Sequence, residues 1–393
     1  MIGMKGLLVL AAGCLAACSS QSRELRLLRE NPLIDGHNDL PWRIQQRARG
    51  DIHALDIREP QPSLHTDIAR LRAGGLGAQF WSVYVPTSLQ GDAAVRATME
   101  QIDIVHQMTA EYPDAFEPAL TAADIERIHA KGKIASLIGM EGGHCINGSL
   151  GALRMFYRLG ARYMTLTHSH NTPWADSCTD EPELGGLSAF GEEVVREMNR
   201  LGMLVDISHV SADTMRDVLR VSSVPVIFSH SSARALTDHP RNVPDDVLLQ
   251  LKANAGVVMV TFVGSFVSEK VRLHSEKRKA ERRRLAQLHG NDEERVKALL
   301  EQWSKDNPGP QALLSDVADH IDHIRKVAGV DHIGIGSDFD GTSHTPQGLD
   351  DVGHFVDLVR ELMRRGYSDE QIGKILGRNV LRVMRAVEDA SRP

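Results

Sequence analysis

The stretch Leu33-Ile34-Asp35-Gly36-His37-Asn38-Asp39 reads as a short buried strand that ends in chemistry. Leu33 and Ile34 open it, and Leu40-Pro41 breaks the pattern just after it. In extended backbone residues i and i+2 share a face, so the His37 imidazole and the Asp39 carboxylate point at one spot. A nitrogen and an oxygen converging there make half a site for a divalent metal. His-x-Asp pairs are common by chance, so the rest of the chain must supply the other ligands.

Outward from that stretch the same arrangement repeats. Residues 79–85, 134–140, 163–167, 203–208, 225–229, 256–262 and 332–336 are short apolar or alternating runs of strand character. Between them, residues 93–110, 150–159, 190–201 and 211–221 have the spacing of amphipathic helices, and two more helices, 353–365 and 368–387, close the chain. Eight strands alternating with helices predict a parallel α/β architecture, a (β/α)8 TIM-like barrel, with a doubly wound open sheet as the alternative. The polar residues then fall into place: His37, Asp39, Glu141, His168, His209, His230 and Asp338 all stand at or just past strand C-termini. A barrel gathers those ends at one face, where active sites of this fold lie.

Imidazoles and carboxylates without convergent thiolates suit zinc or a similar borderline divalent ion. The set exceeds the needs of one ion. Three histidines and two carboxylates hold two ions if one carboxylate bridges, which leaves Asp338 free to move protons.

Composition removes some alternatives. The 393 residues carry Lys+Arg 45 against Asp+Glu 52, a net charge of -7, so no nucleic-acid partner is expected from the overall balance. At the N-terminus a single lysine, an apolar run and Leu15-Ala16-Ala17-Cys18 look like a lipoprotein signal peptide, too short to span a bilayer. Residues 1–18 are therefore expected to be the signal, ending at a lipidated Cys18, with 19–30 a polar tether or short helix and 31–393 a single barrel domain. Such a protein would be exported to the periplasmic side of a bacterial membrane, and Ser19 favours the outer one by resemblance to known lipoproteins. Only Cys145 and Cys178 then remain. Residues 269–309, between the seventh and eighth strands, are densely charged (Glu276-Lys277-Arg278-Lys279, Glu281-Arg282-Arg283-Arg284) and read as a solvated helical insertion or a lid.

The motifs Ile34-Asp35-Gly36-His37-Asn38-Asp39, Gly139-Met140-Glu141-Gly142, Thr165-Leu166-Thr167-His168, Asp206-Ile207-Ser208-His209, Phe228-Ser229-His230-Ser231, Arg241-Asn242-Val243-Pro244 and Gly334-Ile335-Gly336-Ser337-Asp338-Phe339-Asp340-Gly341 resemble, in that order, those of the membrane (renal-type) dipeptidases. The resemblance runs from about residue 31 to the end. It implies a binuclear zinc dipeptidase: His37 and Asp39 on one zinc, His209 and His230 on the other, Glu141 bridging, and a metal-bridging hydroxide as nucleophile. It further implies that His168 stabilises the oxyanion, that Asp338 shuttles the proton, that Arg241 binds the substrate carboxylate, and that dipeptides with a C-terminal D-residue are accepted. A homodimer is implied in the same way. Three positions depart from the family: Phe266 stands where many mammalian members have a tyrosine, and His170 and Glu269 stand where they have disulfide cysteines. A related amidohydrolase acting on lactones or N-acyl amides would carry a modified lysine at the fourth strand, where this chain has His168. A pathway-accessory binding lipoprotein would be expected to lose a ligand, and none is lost.

Overall fold

The computed structural model describes residues 22–290 and 292–391, so the expected signal peptide and Cys18 lie outside the described residues. Among the described residues nine strands occur: β1 (Leu33–Asn38), β2 (Leu76–Tyr84), β3 (Phe116–Pro118), β4 (Ile134–Glu141), β5 (Ala161–Thr165), β6 (Leu204–Asp206), β7 (Ile227–Ser231), β8 (Val257–Val260) and β9 (Ile333–Ile335). All pair in parallel, in the order β2-β1-β9-β8-β7-β6-β5-β4, and β2 pairs back onto β4 from Ala78↔Ala135 to Tyr84↔Glu141. That last ladder closes an eight-stranded barrel and settles the choice against an open sheet. The unexpected strand is β3, which pairs with Ile134–Ser136 of β4 while β5 takes residues further along, from Ile138.

Alternation along each strand divides the apolar residues into two cores. Ile34, Phe80, Leu137, Tyr163, Ile227 and Met259 fill the barrel, with Val380 and Met384 of the last helix beneath them. Leu33, Trp81, Val83, Met140, Val258 and Ile335 face outward and pack under the surrounding helices. The last helical stretch seals the N-terminal mouth: a Cβ at Gly377 would stand 2.1 Å from Pro32 O, so a glycine is needed for this approach.

Two readings left open by the sequence narrow, each to its helical alternative. The polar segment before the barrel is not a free tether from residue 23 on; Arg23–Glu30 is a helix with Leu27 and Leu28 buried. Its polar residues form an outer layer, Arg23 and Arg26 on Asp369 and Glu24 on Arg360, which is why its composition reads as solvated. The charged insertion is a helical hairpin, Glu269–His289 and Glu293–Asp306, with a small core of its own in Leu285, Val296 and Leu300. Cys145 and Cys178 are both free thiols.

Candidate metal centre

Each expected ligand is delivered by the C-terminal end of a strand. Glu141 is the last residue of β4, on the inward parity of Ala135 and Leu137. His230 is within β7, His168 and His209 lie three residues past β5 and β6, and Asp338 three past β9. His209 and Asp338 both have left-handed backbone, φ 67 and 65, a conformation that costs energy and recurs at functional sites. β1 needs a device of its own. Simple alternation would turn His37 outward with Leu33, but the register with β2 shifts between Asp35 and Asn38, and an irregularity of that kind swaps the faces of a strand. His37 and Asp39 therefore point inward.

The ligand atoms converge on one carboxylate oxygen. Glu141 Oε1 lies 2.9 Å from His209 Nε2, 3.5 Å from both His37 Nε2 and His230 Nε2, and 3.7 Å from His168 Nε2. Its second oxygen accepts a hydrogen bond from Ser82 Oγ at 3.3 Å. His37 Nε2 is also 3.3 Å from Asp39 Oδ2, and the rings of His37 and His230 stack with centroids 3.9 Å apart. Three overlapping groups have ligand atoms mutually within 4.8 Å: His37, Glu141 and His230; Glu141, His168 and His209; His37, Asp39 and Asp338.

Whether these residues fit a metal can be read from the atoms behind them. His37 Nε2 is buried without a hydrogen-bond partner. The Tyr163 hydroxyl donates to Gly36 O at 3.0 Å, so it has only a lone pair for His37 Nδ1 at 2.9 Å. The proton therefore sits on Nδ1, and Nε2 presents a bare lone pair to the centre. His230 is set in the same way: Ser229 Oγ donates to Asp206 Oδ2 at 2.6 Å and accepts from His230 Nδ1 at 2.7 Å. Asp206 is held in turn by Thr165 Oγ1, Ser208 N and Ser229 N. His230 Nε2 and His209 Nε2, 2.9 Å apart, then face each other beside a carboxylate. Asp39 is the N-cap of the helix Leu40–Ala48 but makes no side-chain cap bond, which leaves its carboxylate for the centre. The donor set fits divalent cations.

Charge agrees. Burial, then the positive Arg241, hold His209 well below the usual imidazole range; burial and His37 do the same to His230, so both stay neutral, the form that can ligate a metal. His37 moves the other way: burial opposes its charge, but Tyr163, Glu141 and Asp39 together hold it well above the usual range. A proton there answers a need for positive charge that a metal ion meets equally well. Burial and the neighbouring Asp39 push Asp338 well above the ordinary carboxylate range, the direction that suits a group taking and giving a proton.

The centre floors a cavity of about 280 Å³. Arg241 lines it, only 3 % exposed; its guanidinium donates to Ser231 Oγ and His230 O, both at 3.4 Å, and its Cζ lies 5.4 Å from the Phe266 ring centre. It has no carboxylate partner among the described residues. A Cβ at Gly341 would stand 2.0 Å from Asp338 Oδ1 and 2.2 Å from Asp39 Oδ2, so that position must stay bare. Every site residue expected from sequence is thus in one place except Cys18, which is not described. The residues that sequence reading missed are Tyr163, Asp206 and Ser229 behind the ligands, and Trp42, Arg43 and Tyr84 on the cavity wall. A carboxylate in the apolar run Leu204-Val205-Asp206-Ile207 was the one visible signal for the buried set.

A closed parallel barrel with this constellation at its C-terminal face defines a metal-dependent hydrolase. The chain belongs to the membrane dipeptidase family, peptidase family M19, whose profile matches residues 21–393. It is 43% identical over 381 residues to dipeptidase verJ of Clonostachys rogersoniana, covering 94% of this chain and 88% of that protein. Among solved structures, the probable dipeptidase PvdM from Pseudomonas aeruginosa superposes with TM-score 0.81 at 25% identity, over 94% of this chain and 98% of that one. A Rhodobacter sphaeroides metallopeptidase carrying a phosphinate mimic of L-Ala-D-Ala has TM-score 0.75 at 24% identity, over 91% of this chain and 99% of that one. The chain is a dipeptidase of that family, a metallopeptidase.

Proposed function

We propose that this dipeptidase works with two zinc ions, one held by His37 and Asp39, the other by His209 and His230, with Glu141 bridging. The observation that carries the reading is the convergence of four imidazole Nε2 atoms on Glu141 Oε1 within 3.7 Å. Zinc bound there supplies Lewis acidity at the scissile carbonyl and a water that is nucleophilic at neutral pH.

The chain's own groups do the rest. Arg241, buried and without a carboxylate, clamps the terminal carboxylate of the substrate through its planar fork. That anchor selects dipeptides, because a longer peptide would leave the guanidinium unpaired. His168, its ring 4.4 Å from that of His209, donates to the oxygen that gains charge as the carbonyl is attacked. Asp338 takes the proton from the attacking water and passes it to the leaving amine. The range extends to dipeptides with a C-terminal D-residue, as the mimic in the Rhodobacter relative suggests. A lipid on Cys18 tethers the enzyme at the periplasmic face of the outer membrane, on the strength of Leu15-Ala16-Ala17-Cys18 and Ser19.

Asp338→Asn tests the assignment. Its expected effect is a loss of about 10²–10⁴-fold in kcat on a dipeptide such as L-Ala-D-Ala, with metal content unchanged. A variant that keeps full turnover would remove Asp338 from the proton path. One that loses metal would make it a ligand instead.

A further inference from the structure

The cavity holds two arginines, and the dipeptidase reading uses one. Arg43, in the helix Leu40–Ala48 that follows β1, also lines the cavity and is half-buried. Its Nε donates to Asp340 O at 2.5 Å and its Nη1 to Gln46 Oε1 at 3.1 Å, two neutral acceptors that fix the guanidinium, while the buried Asp340 carboxylate feels its charge without forming an ion pair with it. It makes no ion pair among the described residues. An arginine held at a cavity wall by neutral acceptors, without a direct ion pair, keeps donors and charge for a ligand.

Position says which part of a ligand. Around the barrel rim, Arg241 follows β7, whereas Arg43 follows β1, with β8 and β9 between them. The centre at Glu141 lies inside this ring. A dipeptide whose terminal carboxylate is on Arg241 and whose scissile carbonyl is at the centre extends its N-terminal residue across the barrel from β7, toward β2 and its neighbour β1. There it meets Trp42, Tyr84 and Arg43. The two rings stack edge to face, centroids 5.1 Å apart, and form an apolar wall for the side-chain stem. Arg43 meets its end. The free amine of that residue has carboxylates of the same cavity, Asp39, Glu141 and Asp338, to face, whereas Arg43 on the wall has no carboxylate within ion-pair distance among the described residues, so an acidic side chain is the one that would complete its charge.

We infer that Arg43 is a specificity-determining residue and that the preferred substrates are dipeptides with an acidic N-terminal residue, aspartyl or glutamyl. The inference rests on the dipeptidase reading and on Arg241 as the carboxylate anchor.

The experiment is a kcat/KM panel on the zinc-loaded enzyme with Glu-Ala, Asp-Ala, Gln-Ala, Leu-Ala and Lys-Ala, repeated with Arg43→Gln and Arg43→Lys. The wild type is expected to favour Glu-Ala over Gln-Ala by about tenfold, the size of a charge-assisted contact in a partly dry site. Arg43→Gln should bring the ratio close to one, and Arg43→Lys should restore part of it. Raising the salt on the wild type should erode the Glu-Ala preference and spare Leu-Ala, a readout that needs no variant. Equal rates for Glu-Ala and Gln-Ala, or a preference that survives Arg43→Gln, would overturn the inference and leave the dipeptidase reading standing. Failure to cleave any member of the panel would overturn both.

Discussion

Tyr163 shows how much of a metal site lies behind its ligands. Its hydroxyl is committed to Gly36 O and so fixes the His37 tautomer, and its ring fits because Gly139 is bare: a Cβ there would stand 2.0 Å from Tyr163 Cζ. Tyr163→Phe keeps the ring and frees Nδ1, so His37 Nε2 becomes protonated for part of the time. Loss of an outer hydrogen bond of this kind costs about 10–100-fold in metal affinity. The expected result is one weakened metal, the one on His37 and Asp39, released first when a chelator is titrated into the variant and metal content is followed. Equal retention of both metals would make Tyr163 a packing residue only. The ligands themselves were legible, because His37, Glu141, His209 and His230 fall at the ends of apolar runs. Tyr163 was not, because a tyrosine inside a strand reads as core, which it also is.

At the scale of elements, the chain's two surprises have different physics. The strand β3 is three residues long and ends in Pro118, too short for alternation to announce it. The shift in β1 between Asp35 and Asn38 is invisible to a pattern that counts every second residue, yet it decides which way His37 points. Sequence placed His37 and Asp39 on one face correctly and was silent on how that face comes to be the inner one. The hairpin Glu269–His289 and Glu293–Asp306 was open to two readings, and none of its residues is among those lining the catalytic cavity. Glu269 is the exception in importance: it accepts from Asp238 N at 3.1 Å, in the loop that leads to Arg241. Replacing residues 276–302 by a short glycine linker, with Glu269 kept, should therefore change kcat/KM on a dipeptide by less than about threefold. A larger loss would bring back the lid reading.

For the whole molecule, acid should be more damaging than the net charge of -7 suggests. Burial, with His168 nearby, pulls His144 down to about 4, and burial pulls His320 down to about 4 against a bond to Val267 O. In the unfolded chain both titrate near the usual 6.5. Their folded pKa values are depressed, so their contribution is complete above about 6.5 and is lost as the pH falls from there toward 4. These two imidazoles alone take up two protons on unfolding and so contribute about 2.7 kcal/mol per pH unit to the slope in that window, and other buried histidines such as His239, held at about 3, add to it in the same direction. Urea midpoints of the metal-free protein between pH 7.5 and 5 would show it, and His320→Gln should lower the slope by about 1.4 kcal/mol per pH unit, the share of one proton. A flat profile would mean that these imidazoles protonate in place. The barrel was readable at this scale because its eight strands are short apolar or alternating runs separated by helices. Its closure by the β2–β4 ladder and the burial of Leu27 and Leu28 before the barrel depend on contacts that no local pattern carries.

On the function proposed above, the five ligands hold two ions and the loaded centre cleaves dipeptides. Zinc content and dipeptide hydrolysis, followed on one sample through chelation and reloading, test both halves at once. About two zinc ions per chain are expected at full activity, with hydrolysis lost on chelation and regained on adding zinc. Full loading without cleavage of any dipeptide, L,L or L,D, would contradict that function.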